Sequence, residues 1–97
     1  MARAVTITET SVPHLPRGVR LSFDRRRGRW VVLAPERVLV PDDIALEVLR
    51  RCDGVADVAA IVDDLATAFE APRGEILGDV QALLQDLADK GVLTTAP

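Results

Sequence analysis

The chain has 97 residues, of which 48% are hydrophobic and 28% charged, with a formal net charge of −3. That is one domain of ordinary globular composition, which excludes wholesale disorder, collagen-like repeats and a long coiled coil. With two Phe, one Trp and no Tyr, packing falls to Val, Leu, Ile and Ala.

The charge is unevenly spread. From Arg17 to Arg51, nine arginines face five acids, and from Cys52 to Pro97 nine acids face only Arg73 and Lys90. One half is basic and the other acidic, so a partner meets a dipolar surface. No run approaches the roughly 20 apolar residues of a membrane helix. The N-terminus lacks the charged-then-apolar layout of a signal peptide. A single cysteine, Cys52, suits a reducing compartment. The expected location is therefore the cytoplasm.

Residues 1–16 are polar and β-branched, with Pro13, Pro16 and no sustained apolar period, and read as a flexible tail or linker. The domain is expected over residues 17–97. Val19 to Phe23 alternates apolar and polar residues with period two, the pattern of a half-buried strand. Arg25-Arg26-Arg27-Gly28 makes a hairpin turn, and Arg29 to Leu33 is a second strand. Ala34-Pro35-Glu36 turns the chain again into a third strand, Arg37 to Val40, which Pro41 ends by lacking an N–H.

Helices follow. Pro41-Asp42-Asp43 starts the first, where carboxylates suit the positive end of the helix dipole. Arg50-Arg51 lie in its last turn, and Gly54 is a left-handed stop. Asp57 caps a second helix whose apolar face is Val58, Ile61, Val62, Leu65 and Phe69. The third begins near Pro72 and carries Ile76, Leu77, Val80, Leu83, Leu84 and Leu87. Gly91 ends it, and Val92-Leu93 turn back toward the core. The expected fold is α+β and winged-helix-like, a three-stranded antiparallel sheet followed by a three-helix bundle (βββααα).

No pattern in the chain points to catalysis. There is no phosphate loop, no GxGxxG and no His/Cys ligand cluster, so no catalytic residue, metal or cofactor is expected. Asp42-Asp43 and Asp63-Asp64 are adjacent on helices and diverge by about 100°, which spreads rather than converges their carboxylates. Cys52 beside Arg50 and Arg51 reads as a packed hydrophobe rather than an activated thiol. The Arg25 to Arg29 cluster would serve a DNA-binding regulator with a basic wing. Against that reading, the third helix bears Glu75, Asp79, Asp86 and Asp89, which phosphates would repel. The informative element is the third strand. It ends the meander, and nothing downstream reads as a strand that covers it, which leaves a row of backbone groups for strand addition.

Arg17-Gly18-Val19-Arg20-Leu21 and Trp30-Val31-Val32-Leu33-Ala34-Pro35-Glu36-Arg37-Val38 resemble the N-terminal half of the PqqD family. The likeness continues through Ala45, Leu49, Cys52-Asp53-Gly54, Val58-Ala59-Ala60-Ile61-Val62, Asp79-Val80, Leu84 and Gly91-Val92-Leu93. It covers Arg17 to Leu93 in order. The resemblance implies a non-catalytic peptide chaperone of pyrroloquinoline quinone biosynthesis, a recognition element for a ribosomally made precursor. Such proteins hold the peptide PqqA and present it to the radical SAM enzyme PqqE, with no nucleic acid or membrane partner. In similar domains the peptide adds a strand beside the third strand and lies against the third helix. Carried over, Val38, Leu39 and Val40 supply edge backbone, with Arg37 nearby. Val80, Leu83, Leu84 and Leu87 are the apolar wall, some of them core instead. One departure is Val40-Pro41-Asp42-Asp43, where many relatives have a Leu-Asn-Gly-like segment. The open edge is compatible with a monomer or a dimer. Some relatives are fused behind a second pathway enzyme, which fits a linker over residues 1–16.

Overall fold

A computed structural model describes residues 5–96. In chain order the elements are β1 (Pro13–His14), β2 (Arg20–Asp24), β3 (Arg29–Ala34), β4 (Arg37–Leu39), α1 (Asp43–Arg50), α2 (Val58–Ala68), α3 (Arg73–Asp89) and β5 (Thr94–Thr95). The class is α+β, with a three-stranded antiparallel sheet ordered β2-β3-β4 and three helices after it. Two short strands extend the expected order: β1 pairs with β5, Pro13 opposite Thr95 and His14 opposite Thr94.

Asp24 shapes the turn between β2 and β3. Its Oδ1 accepts from the amides of Arg26 and Arg27 at 3.1 and 3.3 Å, and its carbonyl accepts from Gly28 at 2.7 Å. Gly28 takes φ +64° there, which the turn needs. The β3–β4 connection is the two residues Pro35 and Glu36, and Glu36 also adopts a positive φ of 61°. Proline pre-sets the first position of such a turn, while a non-glycine residue at the second carries some strain.

The helices start where carboxylates meet free amides. Asp42 Oδ1 accepts from Ala45 N at 2.7 Å, and Asp57 Oδ1 from Ala60 N at 2.8 Å. Between α1 and α2, Asp53 Oδ1 accepts from the amides of Ala56 and Val55. These donors, Ala56 first, hold its carboxyl below the usual carboxylate range. Val32, Val48, Val58, Ile61, Val62, Leu84 and Val92 are the innermost core, aliphatic as the composition requires.

The N-terminal segment corrects the reading of residues 1–16 as a flexible tail. Residues 1–4 lie outside the described ones, but Ile7 and Pro13 are buried. Gln85 of α3 donates to the Val5 carbonyl at 2.6 Å and accepts from the Ile7 amide at 2.9 Å. The Ser11 and Glu9 carbonyls accept from Val58 N and Ala59 N, both at 2.9 Å. The physical reason is that the first amides of any helix lack intrahelical partners. Here a turn and the irregular chain after it satisfy two of them with their backbone, an interaction that leaves no periodicity in the side chains.

Candidate functional site

β4 is an edge strand of the described sheet. Ala34 and Arg37 flank the two-residue turn and form the first pair, followed by Leu33–Val38 and Val32–Leu39. Antiparallel pairs alternate, and a two-residue connection makes the flanking pair the hydrogen-bonded one. Arg37 and Leu39 therefore direct their backbone groups toward β3. Val38 directs its N–H and C=O outward, into the open edge.

Alongside that edge runs a cleft of about 250 Å³ between β4, α1 and α3, whose lining includes Leu39, Val40, Ala45, Leu83, Leu87 and Lys90. One helix wall and one strand wall thus face each other across an apolar floor. The Arg37 guanidinium reaches from β4 to the C-terminus of α3, where Nη1 donates to the Lys90 carbonyl at 3.4 Å. A cation suits that end of the helix, where carbonyls lack partners.

The eight expected site residues separate in space. Val38 is 61% and Val40 54% exposed, while Leu39 turns inward onto the core. Leu87 lines the cleft, and Leu83 lines both the cleft and an adjoining hollow. Val80 lines only that hollow, which lies between α1, α2 and α3. Leu84 is fully buried and lines neither, so its place in the apolar wall is corrected to the core. The cause is helix geometry. Positions 83 and 84 project about 100° apart, and only one can face the opening.

Sequence reasoning missed the hollow, whose rim is Ile44 and Phe69 with Asp42 and Asp79 at its mouth. A signal was present: the apolar set of α3 is broader than one buried face requires. Cys52 is buried, its Sγ donating to the Val48 carbonyl at 3.3 Å. Burial, aided by the neighbouring Asp53 charge, pushes its thiol up to about 12. It is a packing residue rather than a nucleophile at neutral pH. Among the described residues, no group of three or more His, Cys, Asp or Glu could hold a metal ion. No helix among the described residues is long and apolar enough to cross a membrane.

The model of the family described as coenzyme PQQ synthesis protein D (PqqD) matches residues 29–93, from the start of β3 to the turn before β5. The chain belongs to the PqqD family. A PqqA binding protein of Rhodopseudomonas palustris (strain TIE-1) is 62% identical over 94 residues, covering 97% of this chain and 92% of that one. The solution structure of the PqqD part of Methylobacterium extorquens PqqCD, described as a functional, stand-alone RiPP recognition element, superposes with a TM-score of 0.78. It is 42% identical and covers 91% of this chain and 94% of its own. The crystal structure of PqqD from Xanthomonas campestris is 48% identical with a TM-score of 0.59, over 92% and 99% of the two chains. By name, the first of these relatives is a binding protein for PqqA and the second a recognition element.

Proposed function

We propose that this chain binds the ribosomally made precursor peptide PqqA as an added strand along β4 and presents it to the radical SAM enzyme PqqE in pyrroloquinoline quinone biosynthesis. The observation that carries the reading is the outward-facing backbone of Val38 beside an apolar cleft bounded by α3. Strand addition supplies affinity through the backbone, and alternate side chains enter the cleft and provide selectivity. Arg37, Val38, Leu39 and Val40 form the strand side of the site. Leu83 and Leu87 form its helix side, and Val80 belongs to the adjoining hollow.

PqqA binding proteins 62% and 60% identical to this chain support the ligand. The role is that of a carrier and not of a catalyst, exercised in the cytoplasm by a monomer with no cofactor of its own. A winged-helix DNA-binding role is disfavoured by charge, since Glu75, Asp79, Asp86 and Asp89 give α3 a surface that phosphates repel.

An amide chemical-shift titration of the chain with synthetic PqqA tests the reading. The largest shifts are expected at Arg37 to Val40 and from Val80 to Leu87. Shifts confined to Arg25 to Arg29 would overturn strand addition in favour of a charge-driven contact on the hairpin. No shift at saturating peptide would overturn PqqA as the ligand.

A further inference from the structure

Beyond the cleft, the hollow of about 380 Å³ between α1, the end of α2 and α3 has walls that include Ile44, Val48, Leu65, Phe69, Ile76 and Val80. Its volume suits one large side chain or two smaller ones. Two of its rim residues are large and apolar yet face solvent, Ile44 at 58% and Phe69 at 48% exposure. In a chain with only two Phe, leaving one half-exposed on the rim of an apolar hollow is a cost unless something covers it.

Three features say what covers it. Asp42, Ala45 and Leu83 line both this hollow and the cleft beside β4, so the two form one furrow. A peptide seated on β4 is thereby led into the hollow. The N-terminal segment does not compete, because it is held on another face of α3 by Gln81 and Gln85. Finally, the charge at the mouth is negative. Asp42 and Asp79 line the hollow, among the described residues its lining holds no Lys or Arg, and Asp79 is exposed. By contrast, Lys90 at the far end of the furrow is neutralised by Asp86 at 2.8 Å.

We infer that this hollow seats a large apolar side chain of the bound peptide, flanked by a cationic group that meets Asp79. A neutral or acidic neighbour would bring Asp79 toward an apolar surface without a partner, which costs desolvation and selects against it. The geometry also sets a spacing. From Leu87 to Ile76 the axis of α3 rises about 16 Å, which an extended peptide covers in roughly five residues. The apolar anchor therefore lies about five positions from the peptide side chain that packs on Leu87. This inference rests on the strand-addition reading and deepens it from a backbone contact to a selective one.

The test uses calorimetric titration of the full chain with synthetic PqqA, for wild type, V38P, F69S, I44S/F69S and D79K, with amide spectra confirming the fold of each. I44S/F69S is expected to weaken binding about tenfold or more. D79K weakens it severalfold, and a PqqA variant with the flanking cation reversed to Glu binds D79K better than wild type. In the wild-type complex, the Ile44 and Ile76 methyl signals shift while that of the core residue Ile61 stays. If V38P weakens binding about tenfold while the rim variants bind as wild type and those methyls do not move, the hollow is no subsite and strand addition stands. If rim variants lose affinity but charge reversal rescues nothing, the cationic neighbour is wrong. If wild type does not bind PqqA at all, the underlying reading falls instead.

Discussion

The Nη1 of Arg37 donates to the carbonyl of Lys90, 3.4 Å away, and so ties β4 to the last turn of α3 across 53 positions of chain. This contact spans the two walls of the cleft. It is exposed and long, so its own contribution to stability is small, about 1 kcal/mol or less. R37A should lower the urea midpoint only slightly. Its effect on PqqA affinity should be larger, several-fold, because the strand wall loses its tie to the helix wall. Parallel urea and binding titrations of R37A check both.

Neighbouring prolines on β4 should behave in opposite ways. Val38 points its N–H into the open edge, whereas Leu39 spends its N–H on Val32. V38P therefore keeps the sheet ladder and removes one donor to the guest, with a loss of affinity of about tenfold. L39P breaks the ladder itself and should destabilise the domain by about 3 kcal/mol or more. Thermal melts paired with binding curves separate the two. A stable L39P variant would contradict the register.

Much of this was legible in the residues. Period two in Val19 to Phe23, the Asp24-to-Gly28 turn and the carboxylates at Asp42 and Asp57 each declare a local structure whose cause is local. The open edge followed from counting strands. The N-terminal segment was illegible because its role is played by backbone carbonyls of Glu9 and Ser11 and by scattered apolar side chains, Ile7 and Pro13 the most buried, which form no pattern. The division of α3 was illegible for a different reason. Leu83 and Leu84 are chemically identical neighbours, and only the placement of α1 and β4 decides which faces the furrow.

The N-terminal segment should be part of the folding unit. I7A removes a buried side chain and should cost about 2–4 kcal/mol. Q85A leaves the Ile7 amide and the Val5 carbonyl without their side-chain partner and should cost about 1–3 kcal/mol. Chemical denaturation measures each. Wild-type stability in both variants would return the segment to the status of a tail.

Stability should fall at high pH in a way that Cys52 dictates. An unfolded thiol titrates near roughly 8.5, whereas burial raises the folded one to about 12. Between those values the folded chain holds a proton that the unfolded chain has released, so the slope of stability against pH is negative there. The contribution is complete below the unfolded pKa and is lost as pH rises toward the folded one. C52A or C52S should flatten this part of the curve. At pH 8, a thiol reagent should label Cys52 slowly in the native chain and quickly in denaturant.

Hydrogen exchange at two adjacent amides tests the central claim most directly. In the free chain, the Val38 amide should exchange readily with solvent while the Leu39 amide, bonded to β3, is protected. Saturation with PqqA should protect Val38 at least about tenfold and change Leu39 little. A complex in which PqqA is fully bound and Val38 still exchanges at its free rate would contradict strand addition on β4.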